Sequence, residues 1–163
     1  MTASAARPDS YDRTQKALHW TIALLVGAQY LAFDGIGRAF NVGVREGSFA
    51  YSAGTIGHIA AGSLILGLMA WRLGLRLTRG TPPPPDAEPA IAKLAAHAVH
   101  WAFYGLLIAM PLSGLAAWFL PSRQIGGLHD LGQTLLLGLI GMHVAAVLVH
   151  QVWWRSGLIA RMT

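Results

Sequence analysis

The sequence contains no cysteine and few charged residues. Of its 163 residues, 12% are charged, whereas an ordinary soluble domain carries roughly 25%. So small a share of charge cannot cover a water-exposed surface, which argues against a soluble domain. The absence of cysteine excludes disulfides, thiolate metal sites, a cysteine nucleophile and covalently attached c-type haem. The chain has instead 54% hydrophobic residues and seven histidines, which are His19, His58, His97, His100, His129, His143 and His150.

Four long apolar stretches predict an all-α membrane protein, built as a bundle of four transmembrane helices. A membrane-crossing helix needs about 20 mostly apolar residues, and the stretches cover about residues 17–33, 51–75, 94–120 and 128–154. Their uninterrupted apolar runs favour helices over barrel strands, which alternate between two faces. We expect residues 1–163 to form a single membrane domain.

Prolines and glycines mark the predicted connections between these spans. A run of prolines with acidic residues predicts a polar linker at about residues 78–92. Pro121 and the Gly126-Gly127 pair predict a short turn before the fourth span, and four glycines between residues 35 and 47 predict a loose first connection. Such short connections make consecutive helices antiparallel neighbours.

The distribution of Lys and Arg predicts the orientation of the chain. Nine lie on the side of the termini and the proline linker: Arg7, Arg13, Lys16, Arg72, Arg76, Arg79, Lys93, Arg155 and Arg161. Three lie on the other side: Arg38, Arg45 and Arg123. The excess predicts a multi-pass membrane protein with both termini in the cytoplasm. The positive charges bracket the spans, which favours anionic lipid and not nucleic acid as their partner.

The first apolar stretch is interpreted as a retained span and not as a signal peptide. Asp9 and Asp12 precede it and its apolar core is long for a signal. Ser10 is the expected start of this helix.

The histidines fall into two layers of the predicted bundle. His58 and His129 are expected in the outer half, and the other five in the inner half. His129 and His143 are 14 residues apart, which is about 40° short of four helical turns and about 21 Å of rise. They share a face but differ in depth, so they can serve two stacked sites, each completed by a histidine from another helix. This is the geometry of two haems in a four-helix bundle.

Spacing alone leaves several roles open. His58 is the expected partner of His129, but His19, His97 and His100 compete as partners of His143. Near the inner surface, histidines also serve as interfacial residues or interhelical hydrogen-bonding groups. His150 is a candidate for the interface, for a haem propionate or for quinone.

Several short motifs follow one another along the chain: residues 17–20 (ALHW), 56–59 (IGHI), Arg72, the proline-rich linker, 94–100 (LAAHAVH), 110–114 (MPLSG), 141–143 (GMH) and His150. In this order they resemble the bacterial cytochrome b561 family, and in particular its small superoxide-oxidase-like di-haem cytochromes, which implies a location in the bacterial inner membrane. The resemblance extends over about residues 10 to 162. One departure is the short loop at residues 121–128, where superoxide-oxidising relatives can carry a longer outer segment.

The resemblance implies two non-covalent b-type haems, each held by two histidines. His19 and His143 would be the axial iron ligands of the cytoplasmic-side haem, and His58 and His129 those of the periplasmic-side haem. His150 lies where the family makes a quinone contact plausible.

The expected function is single-electron transfer between a periplasmic-side donor, with superoxide as a candidate, and a membrane quinone such as ubiquinone. The chain would then be a superoxide oxidase or an electron carrier of the respiratory chain. One alternative is a haem-bearing subunit or partner of another dehydrogenase. A second is a transporter that relays protons or a metal ion through its histidines, but no Asp or Glu lies deep in any predicted span.

Overall fold

The computed structural model describes residues 10–33, 35–85 and 88–163. Arg7, Asp9 and Asp86, which entered the sequence predictions, lie outside the described residues. The described part contains five α-helices: α1 (Arg13–Leu31), α2 (Ile36–Glu46), α3 (Ala53–Arg79), α4 (Ala90–Phe119) and α5 (Arg123–Val152). A short 3-10 turn follows at Ile159–Arg161. The all-helical prediction is therefore confirmed.

Three of the helices in the described ranges, α3, α4 and α5, are each long and apolar enough to cross a membrane. The helix α1 meets the same criterion only together with α2, from which it is bent by 65°. The structure thus supports three membrane spans, and a fourth if α1 and α2 count as one broken span. The number of four spans stays a prediction.

Polar side chains cap three of the helices and fix where they begin. Asp12 accepts a hydrogen bond from the Gln15 backbone N–H at 2.9 Å, so α1 is capped by Asp12 and the expected start at Ser10 is wrong. Ser52 and Ser122 cap α3 and α5 in the same way. Each cap satisfies an N–H group that the first helical turn leaves without a partner.

The fourth span begins earlier than the sequence predicted. Because α5 starts at Arg123, Gly126 and Gly127 lie inside the helix and the turn predicted there is wrong. Gly126 has a packing role instead, since a Cβ atom on it would lie 2.6 Å from Cε1 of Phe40. The missing side chain lets α2 pack closely against α5.

The first connection is also more ordered than its glycines suggested. It contains α2, which is bounded by Gly35 and Gly47, both with positive φ of 84° and 70°. Glycine adopts this left-handed conformation without steric cost. The predicted loose loop is wrong, because these two glycines lie at the two ends of a helix.

The start of α1, the C-terminal residues and the proline linker meet at one end of the bundle. The Arg79 guanidinium contacts the Asp12 carboxylate at 2.9 Å, and Arg161 donates to the Pro83 carbonyl at 2.8 Å. We call this the linker end and the opposite one the α2 end. The four long helices therefore alternate in direction, as the short connections predicted. The linker between α3 and α4 spans only residues 80–89, which is shorter than predicted.

The core lies at mid-depth, where all four long helices meet. Its buried residues are Ile22, Val26, Ile65, Met69, Tyr104, Leu107 and Leu136. Many other large apolar side chains face outward, including Leu24 at 74% exposure and Val152 at 72%. Such a surface is costly in water and suits a lipid environment.

Candidate functional site

Two histidines near the α2 end face each other across the bundle. The ring centroids of His58 on α3 and His129 on α5 are 6.2 Å apart, with an interplanar angle of 69°. Imidazole-to-metal bonds are about 2 Å long, so two rings on opposite sides of one metal ion have centres about 6 Å apart. The spacing of this pair therefore suits a shared metal ion, although no ligand assignment follows from spacing alone.

The ring of His129 is oriented by α4. Its Nδ1 lies 3.0 Å from the Met110 carbonyl oxygen. A carbonyl only accepts hydrogen bonds, so Nδ1 is the donor and carries the proton. The Ser113 hydroxyl, 3.3 Å from the same Nδ1, donates to the same carbonyl. This arrangement leaves Nε2 as the nitrogen with a free lone pair, which is the arrangement usual for a metal-binding histidine.

A glycine on α4 makes room for this ring. A Cβ atom on Gly114 would lie 2.9 Å from Cε1 of His129. Such a separation is too short for an ordinary contact between carbon atoms, so any side chain at this position would force the ring to move. Gly114 thus lets α4 approach the histidine closely.

The surroundings of His58 differ from those of His129. Its Nδ1 is buried and has no hydrogen-bond partner. Its backbone carbonyl accepts a hydrogen bond of 3.0 Å from Nε2 of Gln29 on α1. The Phe33 ring stands edge-on to the imidazole at a centroid distance of 6.2 Å.

A cavity of about 500 Å³ adjoins the two rings. Its lining is largely apolar and includes Val26, Ile59, Ile65, Leu107 and Leu136 together with both histidines. The volume lies in the range of cofactor pockets. No group of three or more His, Asp or Glu in the described ranges is placed to hold a metal ion. A histidine pair with apolar walls fits haem, because the porphyrin supplies the remaining ligands of the iron.

Three histidines come together toward the linker end. The His143 ring lies 5.9 Å from that of His100 and 5.4 Å from that of Phe103. His19 on α1 is close enough to interact electrostatically with His143, His100 and Arg72. The structure therefore groups His143 with two of its three candidate partners, and its ring contact is with His100.

The third candidate, His97, has a different partner. Its Nε2 accepts a hydrogen bond of 2.9 Å from Nε1 of Trp101, one helical turn along α4. Both side chains are exposed, which fits the interfacial interpretation of this histidine.

His150 is paired with a buried acidic residue, Glu88. Its Nδ1 is 2.7 Å from Oε1 of Glu88, and both residues are less than 10% exposed. A buried carboxylate needs such a partner. Sequence reasoning placed Glu88 in the polar linker and missed this contact, since nothing in the sequence distinguishes it from a solvated linker residue.

Gln29 is another residue that sequence reasoning missed, and here a signal existed. It is an amide within the apolar stretch at residues 17–33, and polar groups at such positions are usually hydrogen-bonded or functional. In the structure it holds the backbone of His58 and lines the cavity.

The three arginines at the α2 end converge on one surface depression. Arg38, Arg45 and Arg123 line it together with Asn41 and Val42, and its volume is about 440 Å³. Arg123 also lines the cavity beside His58 and His129. The depression thus lies next to the candidate cofactor cavity and has three arginines in its lining.

Comparisons with known proteins agree with these features. The chain matches the family model "Prokaryotic cytochrome b561" over residues 10–163. It is 30% identical to cytochrome b562 of Cereibacter sphaeroides, over 93% of this chain and 94% of that protein. It is 31% identical to the probable superoxide oxidase CybB of Yersinia pestis, again over 93% of this chain and 94% of that protein.

The two alignments differ in length. The alignment with the CybB protein extends over 175 residues and the other over 152, for the same share of this chain. The CybB relative therefore carries residues that this chain lacks. Apart from such segments, the likeness extends over nearly the whole sequence and includes every helix described above. The chain belongs to the prokaryotic cytochrome b561 family of bacterial membrane proteins that bind b-type haem.

Proposed function

We propose that the chain is a di-haem membrane cytochrome that moves single electrons between a donor at the α2 end and a quinone in the membrane. The observation that carries this proposal is the facing pair of His58 and His129, 6.2 Å apart beside a cavity of about 500 Å³. In the membrane, the linker end and both termini lie on the cytoplasmic side, in keeping with the excess of Lys and Arg there.

His58 and His129 hold the outer haem in this proposal. A b-type haem held by two imidazoles would supply single-electron transfer. The protein contributes orientation: the Met110 carbonyl accepts the Nδ1 proton of His129, which leaves Nε2 with the lone pair that would bind the iron. The largely apolar lining of the cavity suits the apolar faces of a porphyrin.

His19 and His143 hold the inner haem, as the family resemblance implies. The clustering of His19 with His143 supports this assignment. The ring contact between His100 and His143 makes His100 the competing partner. The two assignments differ in which helix, α1 or α4, supplies the second ligand.

The donor we propose is superoxide, because one relative is named a probable superoxide oxidase. The three arginines around the depression at the α2 end support an anionic donor, since clustered positive charge raises the local concentration of anions. Oxidation of superoxide releases dioxygen and one electron. Two such electrons and two protons from the cytoplasmic side convert one quinone to quinol.

A quinone contact at His150 remains part of the proposal. Glu88 already occupies Nδ1 of this ring, so a quinone would meet the other ring nitrogen. Trp154 stands edge-on to the same ring, with centroids 4.5 Å apart, and offers an aromatic surface.

Purified protein with its native cofactors tests the proposal. We expect a reduced-minus-oxidised spectrum of b-type haem and two extractable haems per chain. We also expect superoxide consumption that requires added quinone and produces quinol. Two haems without superoxide consumption would favour the partner of a dehydrogenase, and fewer than two haems would overturn the di-haem proposal.

A further inference from the structure

Two buried polar atoms of the described residues have no hydrogen-bond partner, and both belong to residues that line the same cavity. They are Oε1 of Gln29 and Nδ1 of His58. Buried polar atoms are paired in the great majority of cases, so each exception calls for an explanation. One atom here is an acceptor and the other belongs to a candidate haem ligand.

The orientation of the Gln29 amide is fixed by its other contact. Its Nε2 donates to the His58 carbonyl oxygen at 3.0 Å. The reverse orientation would place two oxygen atoms against each other, so the nitrogen must be the atom that faces the carbonyl. The unpaired atom is therefore the amide oxygen, a strong acceptor.

The unpaired nitrogen of His58 needs such an acceptor when the ring binds a metal. A neutral imidazole that coordinates through Nε2 carries its proton on Nδ1, and metal-binding histidines almost always donate this proton to a carboxylate or carbonyl oxygen. The facing ring meets this requirement through the Met110 carbonyl. His58 lacks an equivalent partner, and the unpaired acceptor on the residue that holds its backbone is Gln29 Oε1.

We propose that Gln29 is the positioning residue of His58: with its Nε2 on the His58 carbonyl, its Oε1 accepts the Nδ1 proton through one bound water. This inference rests on the proposed haem between His58 and His129. The amide would act at two points, with Nε2 on the backbone and Oε1 on the ring. Accepting the proton makes the imidazole a stronger electron donor and stabilises the ferric state.

The substitution Gln29→Leu removes both hydrogen bonds at nearly constant size. In the holoprotein we expect the midpoint potential of the outer haem to become more positive, while that of the inner haem stays unchanged. We also expect the outer haem to bind about 10-fold more weakly, a usual effect of losing a partner of a metal-binding histidine. Spectroelectrochemical titration and electron paramagnetic resonance measure the changes, and the outer signal is identified as the one that His58→Ala abolishes.

The substitution Gln29→Glu separates the two contacts. It keeps an acceptor for the ring but loses the donor to the His58 carbonyl. If the acceptor matters, the outer potential falls below that of the wild type, opposite to the change in Gln29→Leu. A rise in both variants would mean that Gln29 only ties α1 to α3, and would overturn the inference. If Gln29→Leu does not retain haem, the potential of Gln29→Glu decides the question alone.

Gln124→Leu is the matched control, because Gln124 is exposed at the start of α5 and does not line the cavity. We expect its potentials to equal those of the wild type. Unchanged outer potential and spectrum in Gln29→Leu, with two haems bound, would overturn the role of Gln29 and leave the proposed function intact. A wild-type protein without haem would overturn the proposed function itself.

Discussion

The outer and inner histidine groups use the same side chain in different ways. At the α2 end, two rings face each other beside an open cavity; Nδ1 of His129 has the Met110 carbonyl as its partner, and the buried Nδ1 of His58 has none. Toward the linker end, His143 lies near two other histidines, and its ring contacts one of them. A ligand pair can therefore be inferred from depth alone only where no third histidine shares the layer.

Removal of an outer ligand should have the largest effect. We expect His58→Ala and His129→Ala each to lose one of two haems, the same one in both variants, because a single imidazole cannot fill both axial positions. Haem extraction and the reduced-minus-oxidised spectrum measure the loss. Retention of both haems in either variant would contradict the outer pair.

In the inner group, His19 and His100 compete to be the second ligand beside His143, and three single variants decide between them. We expect His143→Ala and His19→Ala to lose the inner haem, and His100→Ala to retain it. The measurement is the haem content per chain with the outer signal as internal reference. If His100→Ala loses the haem while His19→Ala keeps it, the ring contact seen in the structure identifies the ligand and the family assignment fails.

The addition of one methyl group beside His129 should have a smaller effect, and that effect should be confined to the outer histidine pair. In Gly114→Ala the added methyl group would collide with the His129 ring, at 2.9 Å. Overpacking of this kind costs about 1–3 kcal/mol, so we expect weaker retention of the outer haem only. Gly105→Ala on the same helix is the control, because a methyl group there would meet no neighbouring side chain within 4 Å. Equal haem retention in both variants would contradict the close approach of α4.

The smallest effect concerns the linker end. The Gln15 backbone N–H and the Arg79 side chain lower the pKa of Asp12 below its usual value of 3.8. The carboxylate therefore stabilises the folded state above about pH 4, and this contribution is lost as the pH falls through the lowered pKa.

Asp12→Asn keeps a capping side chain but removes the charge. We expect it to cost about 1 kcal/mol or less at neutral pH, as for other exposed ion pairs. The difference in thermal stability from the wild type should shrink as the pH falls below 3.8 and disappear at a pH below the lowered pKa. A difference that persists unchanged at that pH would show that the charge of Asp12 does not contribute.

The positions of the long helices could be predicted because membrane spans need long apolar runs, and the sequence has them. The helix α2 was not predicted because its short sequence mixes apolar and polar residues and contains no long apolar run. Its pattern held a signal, since Ile36, Phe40 and Gly43 recur at helical spacing while Arg38 and Arg45 fall on another face. The Gly126-Gly127 pair was interpreted as a turn that interrupts the helix, whereas Gly126 lies inside α5 and allows Phe40 to pack closely against it.

The depths of the candidate site and the facing of His58 and His129 were predictable, but the partner of His143 was not. Four histidines at two depths follow from the spacing of residues along helices. Which rings touch depends on helix rotation and on neighbours such as Met110 and Gln29, and these come from other helices. Contacts of this kind are long-range, so a single sequence contains no local pattern that specifies them.

The Met110 carbonyl has a consequence for assembly. It belongs to α4, yet it sets the tautomer of a ring on α5. A contact within the protein therefore holds the ring of His129 in one orientation, whereas no such contact holds Nδ1 of His58. Since less conformational entropy is lost at a preorganised group, a cofactor held by both rings would cost less ordering at His129 than at His58.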